Sequence, residues 1–318
     1  MGVMTKKIIY SVRSFREEFI EKIKEIAPEY SFQTEVASDE LSEIAISIGW
    51  NGDYQEDIFA SDSLKWVQSI SAGVDNLPLN EFADKDILLS NASGIHVESI
   101  SEHTMGIILG YSRGLFQAQR AQFHKEWLGS DIHYQALADQ KLLIIGTGHI
   151  GKKLAQHAAV FGLECIGINT SGHPVEGFKE TYPLEKLKEI LPKATIVVNI
   201  LPLTDQTKGL FDAKVFEAFD KEALFINVGR GPSVKTSDLI AALDDGQLAF
   251  AALDVFEEEP LAKDSPLWER EDVLITSHIA GQTPHFQTKF MDIFLTNLKS
   301  YVDKTELEVN EIDLNEGY

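Results

Sequence analysis

Short apolar runs alternate with stretches of helical spacing along nearly the whole chain. In the first hundred residues Lys7–Val12, Ile44–Ile48, Leu64–Ile70 and Ile87–Asn91 read as strands. After the first of them, Ser14 with Glu17 has the capping-box pattern, which predicts a helix running to about Ala27, before Pro28. Strands alternating with helices predict a parallel sheet covered by helices. From Val97 to about Phe123 the spacing of Ile100, Thr104, Ile107, Ile108, Tyr111 and Leu115 predicts one long helix, which carries the chain from one domain into the next.

Alternation then resumes. Lys141–Ile145, Leu163–Asn169, Thr195–Ile200, Ala223–Val228, Phe250–Val255 and Val273–Ser277 all have the unbroken apolar character of strands buried on both faces. Ile150–Phe161 has helical spacing. Near the end, Thr283 as N-cap and Pro284 as first helical residue predict a helix whose stripe of Phe286, Phe290, Ile293, Phe294 and Leu298 packs on core. The tail from Asp303 is acidic and is expected to be only partly ordered. The pattern as a whole predicts an α/β protein with two doubly wound parallel-sheet domains.

The chain of 318 residues is long enough for two separate cores. Its net charge of −22 argues against nucleic acid or an anionic membrane as partner. No apolar run approaches membrane-spanning length and no signal peptide is evident, so a cytoplasmic protein is expected. The single cysteine, Cys165, cannot form an internal disulfide, which fits a reducing compartment.

Chemistry concentrates at strand ends. The run Lys141–Ile145 leads into Gly146, Gly148 and Gly151, the spacing of a pyrophosphate-binding turn before a helix. Gly146 permits the tight turn, Gly148 lets backbone approach phosphate, and Gly151 lets helix and strand pack closely. The helix start adds N–H groups and a partial positive charge. Further on, Arg230 stands between Gly229 and Gly231, after Asn227. A glutamate run, Glu257–Glu259, precedes Pro260. His278 leaves the last strand just before Gly281. Each is ordinary alone: a solvated arginine, a charged loop, a structural histidine. Together they suit reduction of a 2-keto acid beside a nicotinamide. Arginine clamps the carboxylate, protonated histidine supplies a proton to the carbonyl oxygen, and a carboxylate stabilises and orients the charged histidine.

The chain resembles the D-isomer-specific 2-hydroxyacid dehydrogenase family over nearly its full length. The resemblance rests on Ser71–Asn76, Asn91–Gly94, Glu102 with His103, Gly146–Gly151, Leu201–Thr204, Asn227–Gly231, Leu253–Phe256 with Glu259 and Pro260, and Ser277–Gly281. It implies Arg230 as substrate clamp, His278 as acid/base and Glu259 as its partner. It implies that Gly73 and Val74 offer backbone N–H groups to the substrate carboxylate, alongside Arg230 and His278. Cofactor contacts are implied at Gly146, Thr147, Gly148, His149, Ile150, Gly151, Asn169, Thr170, Ser171, Leu201, Pro202, Thr207, Val228, Gly229, Arg230, Asp254, His278 and Gly281. The family's organisation implies a flavodoxin-like substrate domain, residues 1–96 with 284–318, interrupted by a Rossmann cofactor domain, residues 97–283. A homodimer joined through the cofactor domain is also implied, with no metal.

One departure bears on the cofactor. NAD-specific relatives end the second strand of the cofactor domain in an acid that binds the ribose hydroxyls. Here Asn169, Thr170 and Ser171 occupy that place, with His173 close by and no arginine. NADP(H) is therefore expected in preference to NAD(H). The expected activity is reduction of a small 2-keto acid to a D-2-hydroxy acid. The same family holds corepressor-like, cofactor-sensing binding proteins; the complete Arg230, Glu259 and His278 set favours catalysis over that alternative. Formate dehydrogenases pair their histidine with glutamine, and Glu259 speaks against them.

Overall fold

The computed structural model describes residues 7–132 and 134–314. The chain forms two compact units, one reaching Ile95 and resuming at Pro284, the other His96–Thr283.

In the first unit five parallel strands are arranged in the order β2-β1-β3-β4-β5. They are β1 (Lys7–Ser11), β2 (Tyr30–Gln33), β3 (Ile44–Ile48), β4 (Trp66–Gln68) and β5 (Leu88–Ser90). All five residues of β3 are buried, as a central strand covered on both faces requires. Helices Glu17–Ile26 and Phe286–Lys304 lie together over one face. There Phe294 stacks on Trp66 with ring centroids 5.1 Å apart, and Phe290 stacks on Phe15 at 5.5 Å. Phe290, Phe294 and Leu298 are fully buried, so the predicted stripe is core. Each such side chain contributes about 2–3 kcal/mol of burial.

Several local expectations change. The first helix begins at Glu17, with Arg16 and not Ser14 as its N-cap. The Arg16 N–H donates to Gln287 Oε1 at 3.2 Å and its guanidinium to Thr288 Oγ1 at 3.0 Å, so docking on the last helix sets this start and no capping box forms. The last helix starts at Phe286, with His285 as N-cap in place of Thr283. As far as residue 314 the tail is more ordered than its acidity suggested, and residues 315–318 lie outside the described residues. Asn297 Oδ1 accepts the N–H groups of Glu308 and Val309, and Ile312, which is buried, donates its N–H to Leu89 O at 2.9 Å.

The second unit holds seven parallel strands in the order β12-β11-β10-β9-β6-β7-β8. They are β6 (Lys141–Ile145), β7 (Glu164–Asn169), β8 (Glu180–Pro183), β9 (Ile196–Asn199), β10 (Leu224–Asn227), β11 (Phe250–Leu253) and β12 (Val273–Ile275). Strand order reverses between β6 and β9, which makes their carboxyl ends the topological switch point of a dinucleotide-binding fold. Helices Val97–Ser112 and His149–Val160 pack against each other over one face, burying Met105, Ile108, Leu154 and Ala158. The single long helix expected from Val97 to Phe123 is two helices, because Gly114, at φ 68°, turns the chain between Ser112 and Leu115. Cys165 is a free, buried thiol, and burial pushes its pKa up to about 11. Among the described residues no helix is long and apolar enough to cross a membrane.

Candidate active site

The glycine turn follows β6. Gly146 takes φ 108°, and a Cβ on Gly151 would overlap the Gly146 carbonyl oxygen, so helix and strand approach as closely as only glycine allows. A Cβ on Gly148 would meet nothing within 4 Å. Gly148 is the N-cap of the helix His149–Val160, and no side chain caps it. An open approach to uncapped helical N–H groups is what a pyrophosphate needs, so the turn fits the expected cofactor.

At the end of β7, Asn169 is buried. Its amide donates to Thr147 Oγ1 at 3.2 Å and to His173 O at 3.0 Å, and its Oδ1 accepts the Gly172 N–H at 2.7 Å. Asn169 thus shapes the turn with its own side chain. Thr170, Ser171 and His173 remain exposed, with Ser171 Oγ 2.9 Å from His173 Nδ1. No acidic side chain stands on the 169–173 turn. After β9, Leu201 is half-buried and Pro202 exposed. Thr207 closes their turn, donating from Oγ1 to Pro202 O at 2.7 Å and accepting the Thr204 N–H at 2.8 Å.

Arg230 follows β10 on a turn held from below. Asn199 and Asn227 end β9 and β10 as direct cross-strand partners, and both are buried with Ser233. Asn199 Nδ2 donates to Asn227 Oδ1 and to Ser233 Oγ, each at 2.9 Å. Ser233 Oγ donates in turn to the Arg230 carbonyl at 2.6 Å, and Asn227 Nδ2 reaches the same oxygen at 3.2 Å. The guanidinium is half-buried and donates from Nη1 to Gly229 O at 2.9 Å. Val228 and Gly229 are buried; a Cβ on Gly229 would stand 2.7 Å from Leu201 O.

The next strand end separates the glutamates. Glu259 Oε1 accepts the Phe256 N–H at 3.0 Å, while Oε2 lies 2.7 Å from His278 Nδ1. Glu257 instead accepts the Thr236 N–H at 2.6 Å. Only Glu259 of the three meets the histidine. Because the carboxylate accepts, Nδ1 carries hydrogen and Nε2 is the nitrogen available for proton exchange. His278 sits at φ 54°, a left-handed conformation that costs a non-glycine residue about 1–2 kcal/mol. Arg230 joins this group through backbone: a Cβ on Gly231 would overlap the Phe256 carbonyl, so the arginine turn lies directly on the glutamate loop.

Asp254, at the end of β11, is 2% exposed and engages the 276–280 turn. Gly281 O accepts from His96 Nδ1 at 2.6 Å. In the first unit the Ser71–Asn76 turn places Val74 in the core, and Ser71 Oγ donates to Gly73 O at 2.9 Å. A cavity of about 670 Å³ opens beside it, lined by residues including Trp50, Gln55, Ser71, Asp75, Asn76 and Leu77. Sequence reasoning missed the supports Asn199, Ser233 and Thr276. A usable signal was there for one of them: an asparagine ending an otherwise apolar buried run, as at Asn199. Among the described residues no cluster could hold a metal ion.

Comparison with known proteins agrees with this geometry. The model of the D-isomer specific 2-hydroxyacid dehydrogenase NAD binding domain matches residues 105–280. Glyoxylate/hydroxypyruvate reductase B of Escherichia coli is 36% identical over 239 residues, 71% of this chain and 71% of that protein. The crystal structure of phosphoglycerate dehydrogenase from Lactobacillus plantarum shares 38% identity, covering 96% of this chain and 100% of that one at a TM-score of 0.59. The NADPH-dependent glyoxylate/hydroxypyruvate reductase of Sinorhizobium meliloti, solved with NADP and sulfate, superposes at a TM-score of 0.82 with 28% identity, over 98% of this chain and 100% of that one. Matched over more than half its length by the family's cofactor-binding model, the chain is an NAD(P)-dependent oxidoreductase and belongs to the D-isomer specific 2-hydroxyacid dehydrogenase family.

Proposed function

We propose that this enzyme reduces the carbonyl of a small 2-keto acid with an uncharged side chain to the D-2-hydroxy acid, using NADPH in preference to NADH. The observation that carries the chemistry is the 2.7 Å contact of Glu259 with His278 Nδ1, on a loop that the Arg230 turn touches directly. Residues 97–283 act as the cofactor domain, and residues 1–96 with 284–318 as the substrate domain.

Arg230 grips the substrate carboxylate with two parallel N–H bonds. Bound reduced nicotinamide supplies the hydride. His278 gives its Nε2 proton to the carbonyl oxygen as negative charge gathers there. Glu259 accepts the Nδ1 hydrogen bond and so orients the ring for that transfer. The Gly146–Gly151 turn would hold the pyrophosphate, and Leu201, Pro202, Thr207 and Gly281 would complete the cofactor site.

Two observations favour the finer choices. The cavity beside the Ser71–Asn76 turn has no lysine, arginine or histidine in its lining and includes the carboxylate of Asp75. A phosphorylated or dicarboxylic side chain would find no cationic lining residue to pair with there, while a hydroxymethyl or small alkyl group needs none. The 169–173 turn likewise offers Thr170, Ser171 and His173 and no acid to a 2′-phosphate. Pairing of two copies is supported by Phe123, Trp127 and Tyr134, which are 79%, 96% and 63% exposed on one segment of the cofactor domain. Light scattering of the purified protein measures that directly.

The decisive test is kcat/KM for hydroxypyruvate and 2-ketobutyrate against 3-phosphohydroxypyruvate and oxaloacetate, each with NADPH and with NADH. Higher values for the charged pair, or for NADH, would overturn the corresponding half of the proposal.

A further inference from the structure

A histidine held at φ 54° needs neighbours that leave it no alternative, and the structure names them. The main-chain oxygen of Asp254 accepts the His278 N–H at 2.8 Å. The carboxylate of the same residue takes the next two peptide groups: Oδ1 accepts the Ile279 N–H at 2.9 Å and Oδ2 the Ala280 N–H at 3.0 Å. Three consecutive N–H groups therefore converge on one buried aspartate.

Asp254 is itself held. The Thr276 hydroxyl donates to Oδ1 at 2.6 Å. That hydroxyl has a single hydrogen, so at 3.3 Å its oxygen accepts from His103 Nε2, and Nε2 must carry the hydrogen. His103 stands on the helix Val97–Ser112, partly buried, with Nε2 also 4.0 Å from Asp254 Oδ1. Donors thus converge on Asp254 from two sides, His103 through the Thr276 hydroxyl and the peptide groups around His278 directly.

We infer that His103 and Thr276 are positioning residues, which act through Asp254 to hold the His278 imidazole where it exchanges its proton. The inference rests on the proposed role of His278. Neither side chain touches substrate or the reacting atoms; their effect is on the aim of the imidazole. Losing the hydroxyl leaves Oδ1 short of one donor and lets the carboxylate shift. A displacement of an ångström at a reacting group is enough to cost about a hundredfold in rate.

The test compares Thr276→Val, which keeps the volume and removes the hydroxyl, with Thr276→Ser, which keeps the hydroxyl. For Thr276→Val, kcat should fall about ten- to a hundredfold while KM for the cofactor stays within about twofold. Thr276→Ser should recover kcat to within a few-fold of the parent. His103→Leu should lower kcat similarly, His103→Gln should lower it less because it retains a donor, and the Thr276→Val/His103→Leu double variant should be little worse than either alone. Should Thr276→Val fail to fold by circular dichroism, the two His103 variants carry the same comparison. Full kcat in Thr276→Val or His103→Leu, or equal impairment of Thr276→Val and Thr276→Ser, overturns the inference. His278→Gln measured in parallel keeps the two ideas apart: a variant that still turned over would remove the assigned role of His278, whatever Thr276 showed.

Discussion

The turns that carry Arg230 and His278 sit at the ends of β10 and β12 in one sheet, yet they are built from opposite materials. Beneath Arg230 lie Asn199, Asn227 and Ser233, all buried, all neutral, with donors and acceptors matched among themselves. Behind His278 lies the buried carboxylate of Asp254, with Glu259 on the ring itself. The difference follows from the charge each turn must manage. With Arg230 as the proposed clamp, a carboxylate beneath it would compete with the substrate carboxylate for the guanidinium, and the amides and hydroxyl found there do not. At His278 the two carboxylates serve as hydrogen-bond acceptors, Asp254 for the N–H groups of the turn and Glu259 for ring Nδ1.

The comparison can be broken in several places. The largest effect is expected from His278→Gln, which should cost about a hundred- to ten-thousandfold in kcat. Fluorescence titration should show cofactor affinity nearly intact, and an equal loss of affinity would make the turn a binding element. Arg230→Ala should lower kcat/KM for the 2-keto acid by about a hundredfold; a near-normal value in steady-state assays would remove the arginine as clamp. Asn199→Asp sharpens the contrast, since it places a charge in the neutral network and sets oxygen against Asn227 Oδ1 and Ser233 Oγ. We expect kcat/KM to fall about thirtyfold and stability to drop by about 1–3 kcal/mol in denaturant unfolding. An Asn199→Asp enzyme that kept full activity would show that the neutrality of that turn is incidental. The smallest effect belongs to the third strand-end asparagine. Asn169→Asp should move the NADPH to NADH preference towards NADH by about tenfold, read as the ratio of kcat/KM values; an unchanged ratio would place cofactor discrimination elsewhere.

What could be read from the sequence follows from how far each signal reaches along the chain. Strands such as Ile44–Ile48 and Leu224–Asn227 are buried on both faces and announce themselves as apolar runs. The edge strands Tyr30–Gln33 and Glu180–Pro183 are short and partly polar, and they went unread because four residues are too few to establish an alternation. The break at Gly114 was masked by Leu115, which prolongs the helical spacing across it. Arg230, Glu259 and His278 were legible because each follows a strand, with a glycine or proline within three residues. Their supports were not. Thr276 meets His103 across 173 positions and Asn199 meets Ser233 across 34, and nothing local in a sequence records a partner at that distance. The run Glu257–Glu259 was half legible: the residue type was clear, and only the fold turned Glu257 to Thr236 and Glu259 to the histidine.

The ordered carboxyl-terminal segment has a consequence for handling the protein. It lies along β5, the outermost strand of its sheet, where Glu311 bridges Ser90 and Ile312 reaches Leu89. Asn310 Nδ2 also grips the carbonyls of Asn91 and Ser93, and Asn91 Nδ2 in turn holds Ala72 O at 2.7 Å, next to Gly73. A protease cut or a genetic truncation after Thr305 would therefore do two unrelated kinds of damage. It would uncover a strand edge on which another molecule can add its own strand, the usual beginning of aggregation. It would also loosen, from the far end of the sequence, the Ala72–Gly73 peptide in the turn that the family resemblance assigns to the substrate, so a trimmed preparation that stays in solution should bind the proposed 2-keto acid more weakly than the intact protein.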